Sequence, residues 1–578
     1  MNRLILLGCF WVLAHLPIAA EEFYPVHPDM KAQDRVPSGV IRREIFDRSV
    51  IYPGTTREYA VYVPAQYDEK EPAALMVFQD GLSYLKVVPT AFDNLIHSGD
   101  MPVTVGLFVN PGVVPPMSET DQPRYNRSFE YDAVSDLYAQ FLLEELMPVA
   151  LEGLRISNDP NLRATCGSSS GGIAAFTLAW ERPDQFRRVF TTVGTYVGLR
   201  GGNEYPVLVR KTMPKPLRVF LQDGRNDNDI YCGSWWIANQ DMLSSLQWAG
   251  YEVNHEWGEG GHNRKHGYAI FPDVMRWLWS GWKDGKPVET HPGRSNSIAL
   301  NLTAPGSEWE VVSEGHLFTE GPAIRSNGDL FFTDLDGSKI WKLTKEGEET
   351  LFQENTGGTN GLAFGPDGQK LYGCQREPGR LVSWDVDTGQ LEVHATGVRP
   401  NDLAIAHDGA IYFSEPRKKA IWVILPGEEP KIAADSFSGV NGVILSPDQQ
   451  WVYAADYGGR YVWSGRRNQD GTLSAVQPFV HLHLPPASVD TRSLADGMAV
   501  TEEGWLFVAT AMGLQVCDPP GRVNAILPTP PGIRHPSNVI FDGRVLYATC
   551  GDKVLRREMQ VEGVQGYEPP IQMSKPKL

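Results

Sequence analysis

From Glu44 to Trp282, short apolar runs alternate with longer amphipathic ones. "REYAVYVPAQY", "ALMVFQD", "VTVGLFVN", "FRRVFTTV", "LRVFLQD" and "YEVNHEW" have the length and β-branched or aromatic content of strands. "AVSDLYAQFLLEELMPVALEG" and "SWWIANQDMLSSLQWAG" carry helical spacing, the second closed by Gly250. Strands alternating with helices predict an α/β fold with a mainly parallel sheet over residues 40–283. The stretch 284–308 is polar and rich in Pro, Gly and Ser, and reads as a linker. After it helical spacing nearly vanishes and one motif recurs about every forty residues. Its copies are "GPAIRSNGDLFFTD", "NGLAFGPDGQKLYGC", "NDLAIAHDGAIYFSE", "NGVILSPDQQWVYAA", "DGMAVTEEGWLFVAT" and "SNVIFDGRVLYAT". Each pairs two apolar strands across a turn, and the repetition predicts a six-bladed β-propeller over 309–565. "WEVVSEG", near Trp309, is placed to complete the last blade and close the ring.

Charge and cysteines narrow the setting. A formal net charge of −18 without any Lys/Arg-rich run argues against nucleic acid or an anionic membrane as partner. Arg3, an apolar run from Leu4 to Ile18 and small residues at Ala19 and Ala20 form a cleavable secretory signal over 1–20. The product is expected to be secreted or periplasmic, with no membrane attachment after cleavage. Cys9 leaves with that segment, and Cys166, Cys232, Cys374, Cys517 and Cys550 remain. Five cysteines without a C-x-x-C spacing make neither a disulfide framework nor a zinc site, though one bridge could form. "NRS" at Asn126 and "NLT" at Asn301 match glycosylation acceptors.

"NLRATCGSSSGGIAAFTLAW" places three serines between a strand end and a helix. Only Ser169 has glycines at both positions of G-x-S-x-G, at Gly167 and Gly171, and strand, tight turn and helix are what a nucleophile elbow requires. Such a serine needs a base and an orienting acid, which follow in the order Asp, His. Asp223, Asp227 and Asp229 lie just past "LRVFLQ", and His262 stands in a Gly-rich loop after the next strand, with His266 nearby. His262 is positioned to accept the Ser169 proton and Asp227 to hold the imidazole; Asp223 and Asp229 remain alternatives for the acid. The oxyanion donors expected are the N–H of Ser170 and one from "QDGLSY", around Gly81 and Leu82.

"CGSSSGG", "RSFEYDAVSDLYAQFLLEELMP", "FLQDGRNDND" and "GGHNRKHG" together resemble the enterochelin esterase-like (esterase D-like) branch of the α/β hydrolases. The resemblance implies a serine carboxylesterase for an acyl or sugar ester, with Ser169 as nucleophile and His262 as base, and no cofactor in this half.

In the second half the first residue of each repeat draws notice. Asn360, Asn401, Asn441, Asp496 and Asn538 recur at one register, and Glu320 holds the same point in the first copy. Asn-Gly and Asp-Gly are turn formers, but the shared register would also converge these oxygens on a central channel. An oxygen ring of that kind suits a hard divalent cation. "EGPA", "RPNDL", "VNGVILSPD" and "ADGMAV" resemble the gluconolactonase (regucalcin-like) family of six-bladed propellers. That resemblance implies hydrolysis of a sugar lactone with Glu320, Asn441 and Asp496 as metal ligands and Asp496 as general base. The metal implied is calcium, with zinc, magnesium or manganese as alternatives. Arg399 and Asn401 match substrate-contact positions, and Asn360 and Asn538 line the same site. "FSEP", from Phe413, departs from the family's Phe-Thr-Asp-Pro.

The expectation is an exported bifunctional hydrolase, an esterase joined to a lactonase, acting on small-molecule or carbohydrate esters and lactones. The alternative is an esterase whose propeller is a non-catalytic carbohydrate- or protein-binding module.

Overall fold

The computed structural model describes residues 23–573, except 119, 436 and 487–490. The leader over 1–20 lies outside the described residues. Eight strands form the first sheet: β1 (Val40–Phe46), β2 (Arg57–Val63), β3 (Ala74–Gln79), β4 (Thr104–Val109), β5 (Arg163–Ser168), β6 (Arg188–Thr192), β7 (Arg218–Gly224) and β8 (Glu252–Gly258). Their spatial order is β1-β2-β4-β3-β5-β6-β7-β8. Pairing is parallel from β4 through β8 and antiparallel at β1 and β2. Strands β3, β4 and β5 are buried along their whole length, which is why they read as continuous apolar runs rather than as alternation.

Helices cover both faces. One core includes Ile173, Phe176, Leu178 and Trp180 of α1 (Ser170–Glu181) with Met242 and Leu246 of α2 (Trp235–Ala249). The other joins Phe78, Phe92, Phe108 and Phe271. Gly250 ends α2 in the left-handed conformation, at φ 83°, as its sequence position predicts. The other predicted helix is broken. It runs as Leu137–Gln140, a π-helical turn over Phe141–Leu146, then Met147–Ala150. Pro148 has no N–H for the carbonyl four residues earlier, so the ladder cannot stay in i→i−4 register there.

The second half is a propeller of six sheets, with innermost strands Thr319–Ile324, Thr359–Phe364, Leu403–Ile405, Val443–Leu445, Met498–Thr501 and Asn538–Asp542. Glu310–Glu314 pairs with Lys553–Glu558, so the first strand of this half completes the last blade and closes the ring. The fifth blade gains an extra edge strand, Gly563–Val564.

The polar stretch after Trp282 is packed rather than free, whatever its composition suggested. Val288 is buried and donates its N–H to Asn161, and His291 N–H goes to Gly250 O. The helix Ile298–Leu302 then joins a propeller core. The halves also touch directly: Met213 N–H donates to Ile526 O, and Lys211 Nζ lies 2.9 Å from His483 Nε2. All five cysteines are free thiols. Asn126 is buried and Asn301 exposed, so only the latter could carry a glycan in this fold. Among the described residues, no helix is long and apolar enough to cross a membrane.

Candidate active sites

The first site forms where parallel strands end. β5 runs into Ser169, whose backbone sits at φ 60°, ψ −124°, a conformation costly for a residue with a Cβ. That turn throws the side chain off the strand end and starts α1 at Ser170. A Cβ on Gly167 would overlap Gly171 O, and one on Gly172 would press on Thr191 Oγ1, so the glycines serve close approach. β7 leads to Asp227 and β8 to His262. His262 Nε2 lies 2.8 Å from Ser169 Oγ, and His262 Nδ1 lies 2.6 Å from Asp227 Oδ1. Stretches 58 and 93 residues from one another thus meet in one relay: Ser169, Asp227 and His262.

Of the other aspartates, Asp229 is exposed in a two-residue strand, and Asp223 lies buried behind Asp227. His266 stacks on Tyr24 and meets Gln222 instead. Trp235 packs its edge against the His262 ring, with centroids 5.4 Å apart. Its Nε1 donates to Thr195 Oγ1, which lies 3.4 Å from Ser169 Oγ.

The oxyanion donors are unequal. Ser170 is the first residue of α1, so its N–H has no partner within the helix. Leu82 N–H is bonded to Asn110 Oδ1 at 3.3 Å, so it reaches a substrate oxygen only by exchanging that bond. A brace here escaped sequence reasoning. Asp80, at φ 54°, is gripped by Arg127 at 2.6 Å and by Arg264 at 3.2 Å, and Arg127 also donates to Ser170 Oγ at 2.9 Å. The only signal for it was the position of Arg127 at the head of "RSFEYD".

The second site lies on the propeller axis. The structure brings Glu320, Asn441, Asp496 and Asn538 together: the Asn538 amide lies beside Glu320 and the Asn441 amide beside Asp496, each favouring the ionised carboxylate. The glycines after the site residues have a packing role rather than a turn role. A Cβ on Gly321 would overlap Asn360 O, one on Gly361 would strike Asp402, one on Gly442 would strike Asp496 O, and one on Gly497 would strike Asn538. Each glycine makes room for the next blade's site residue. Of the four only Gly321 has a positive φ, which distinguishes these strand positions from Asn-Gly turns.

The third blade breaks the rule with Asp402 where others have glycine. Its buried carboxylate accepts Val443 N–H at 3.1 Å. Burial pushes the Asp402 carboxyl up to about 7 and that of Glu320 up to about 8, the latter with a contribution from Asp402. Asp496 is raised well above the usual range by burial and by the charges of Glu320 and Asp402. Asp402 and Arg376, whose charge favours ionised Glu320, were missed by the sequence reading. "ND" among "EG", "NG" and "DG" was the available signal for the first.

Among the described residues, no three Asp, Glu, His or Cys side chains are arranged as a metal site by themselves. The donor set available is two carboxylates and an amide. Asn441 Oδ1 is buried without a hydrogen-bond donor, so a hard cation beside Glu320 and Asp496 fits the chemistry of this cluster. The contacts of Arg399 lie outside this cluster: its Nη1 pairs with Glu377 at 3.3 Å and its N–H with Glu415, the variant residue of "FSEP". Asn360 is buried and Asn401 half-buried, with their backbone carbonyls accepting from Thr333 and Gly361 respectively.

Residues 52–279 match the family model described as "Putative esterase", and residues 318–551 match that described as "SMP-30/Gluconolactonase/LRE-like region". The gluconolactonase of Zymomonas mobilis is 23% identical over 286 residues, 43% of this chain and 80% of that protein. The iron(III) enterobactin esterase of Dickeya dadantii is 26% identical over 288 residues, 46% of this chain. The chain spans 61% of the length of that esterase. Among solved structures, a gluconolactonase from Xanthomonas campestris is 26% identical, covering 45% of this chain and 93% of its own, with a TM-score of 0.40.

Proposed function

We propose that this chain, which joins an esterase of the α/β-hydrolase fold to a gluconolactonase-like six-bladed propeller, is an exported bifunctional hydrolase of ester bonds. Its first site would act as a serine carboxylesterase and its second as a metal-dependent sugar lactonase.

The relay of Ser169, His262 and Asp227 carries the first half of the proposal. His262 Nε2 takes the hydroxyl proton as Ser169 Oγ attacks the ester carbonyl carbon, and Asp227 Oδ1 holds Nδ1–H and stabilises the imidazolium. Ser170 N–H faces the developing oxyanion. The imidazolium returns its proton to the departing alcohol. Water then repeats the sequence on the acyl-enzyme, releasing the acid and restoring Ser169. The enterobactin esterase relative, matched over part of its length, supports an ester substrate.

In the propeller, Glu320, Asn441 and Asp496 would hold a divalent cation, calcium first among those suited to an all-oxygen set. When bound, such an ion polarises a lactone carbonyl and lowers the pKa of coordinated water. This chain's own residues supply the rest. Asn360, Asn401 and Asn538 offer amide groups to sugar hydroxyls, Arg399 stands ready to leave Glu377 for a substrate oxygen, and Asp496 is the proton acceptor. The gluconolactonase relative and the orphaned Asn441 oxygen support this reading.

A panel of aryl esters, sugar esters and aldonolactones, run on wild type, Ser169→Ala and Asp496→Ala with and without chelator, tests both halves. Lactone hydrolysis that is absent in wild type with every divalent cation would remove the lactonase and leave the propeller as a binding module.

A further inference from the structure

The carboxylate behind the relay is itself unusual. Asp223 is the penultimate residue of β7 and has no solvent exposure. Its Oδ1 accepts the N–H of Gly224 at 2.7 Å. Four residues on, Asp227 Oδ1 accepts from His262 Nδ1 and from Asn228 N–H. The two carboxyl groups lie within hydrogen-bonding reach of each other, and each has its second oxygen, Oδ2, buried with no donor. Asn239, from α2, is the third polar group in contact with Asp223. Both of its N–H bonds are already used, on Gly194 O at 2.9 Å and Trp235 O at 3.0 Å, and its Oδ1 is also without a donor. Asp223 Oδ2 and Asp227 Oδ2 are therefore two buried acceptors on adjacent carboxyls with no donor of their own. Ionised carboxylates only accept, whereas a protonated one gains an O–H. A buried acceptor without a donor is destabilising, so a proton here removes a real penalty.

We propose that Asp223 is a neutral carboxylic acid whose O–H is donated to Asp227 Oδ2, making it a fourth, positioning member of the Ser169–His262–Asp227 relay. The inference rests on the serine-esterase reading of that site. Asp223, not Asp227, holds the proton because Asp227 Oδ1 accepts from both His262 and Asn228. Asp223 is the more deeply buried of the two, and the only N–H hydrogen-bonded to it is that of Gly224, with the Asn239 amide beside it. Burial and the adjacent Asp227 push the Asp223 carboxyl up to about 9. Asp227 is the titratable group that faces it, Asn239 beside it is neutral, and His262 meets the pair only through Asp227. The proton stays on Asp223 throughout turnover. Its task is to lock the Asp227 rotamer while leaving Asp227 its negative charge. Loss of that proton in alkali would set a second buried charge against Asp227 and disturb its hold on His262.

The test uses the full chain and 4-nitrophenyl acetate across pH 6–10.5 (a range spanning roughly the ordinary and raised titrations). Asparagine at 223 can accept from Gly224 and donate to both Asp227 and Asn239. Asp223→Asn should therefore keep kcat within about threefold at neutral pH and lack the alkaline fall expected of wild type near pH 9. Asp223→Leu supplies no donor and should lose about tenfold or more in kcat with KM unchanged. The proposal is overturned if Asp223→Asn is as impaired as Asp223→Leu, or if it retains the wild-type alkaline limb. Should Asp223→Leu not fold, the Asp223→Asn pH profile alone decides. Ser169→Ala separates the two levels: hydrolysis that survives it would refute the esterase reading itself, whereas its loss leaves the Asp223 result to stand or fall alone.

Discussion

The two sites solve opposite electrostatic problems. In the α/β half, the single Asp227 carboxyl faces the His262 imidazole, which would become positive in the proposed relay, and the groups already touch at hydrogen-bond distance. In the propeller, Glu320, Asp402 and Asp496 gather negative charge on the axis, and burial resists ionising any of them. The first site is a chain of side chains in direct contact. The second is a set of oxygen donors for which a bound cation, as proposed, would let the carboxylates stay ionised together. A strained turn stores the geometry of one; convergence of blades, with glycines cleared out of the way, stores that of the other.

The contrast breaks most sharply at the nucleophile. Ser169→Ala should lower aryl-ester kcat by about 10⁴-fold or more while leaving lactone hydrolysis at the wild-type rate. A parallel fall in both activities would show that the sites are not independent.

Chelation should act in the opposite sense, abolishing lactone turnover and sparing the aryl ester. A pH dependence follows from the raised carboxyls. In the metal-free protein, folded Glu320 and Asp402 hold protons that the unfolded chain has released. Their stabilisation is thus fully present below the ordinary carboxylate range, near pH 4, and is lost as pH rises through about 7 to 8. Differential scanning calorimetry should show metal-free Tm falling across that window. Because cation and proton compete for the same oxygens, added calcium should raise Tm more at pH 8 than at pH 5. Equal shifts at both values would argue against Glu320 and Asp496 as ligands.

Packing supplies an intermediate effect. Gly497→Ala drives a Cβ into Asn538, and overpacking of this kind costs about 1–3 kcal/mol. Denaturant unfolding should register it, with lactone hydrolysis reduced and ester hydrolysis retained. The smallest effect is expected at Asp229. It is exposed and away from His262, so Asp229→Ala should change ester kcat by less than about twofold, where Asp227→Ala costs orders of magnitude.

Much of this architecture was legible beforehand because periodicity is a local property. Apolar runs marked the strands of the sheet, and the recurring first residue marked the blades. What escaped notice was less periodic. Pro148 altered a helix that the pattern drew as continuous, and the polar stretch after Trp282 found partners that composition could not announce. Asp80 and Arg127 meet across 47 residues and Asp80 and Arg264 across 184, so no window of sequence joins them. The Asn-Gly pairs show the limit most clearly. Their spelling is that of a turn, yet Gly361, Gly442 and Gly497 answer to an atom on the neighbouring blade.

By itself, the order of residues determined the α/β half, the six repeats and the chemical types available to each site, since these depend on spacing along the chain and on side-chain identity. Only the tertiary structure decided which of three neighbouring aspartates touches His262 and which lies buried behind it. It also decided that a third carboxylate, Asp402, stands among the proposed ligands. Those choices turn on burial and on contacts between distant segments, which exist only once the chain has closed on itself.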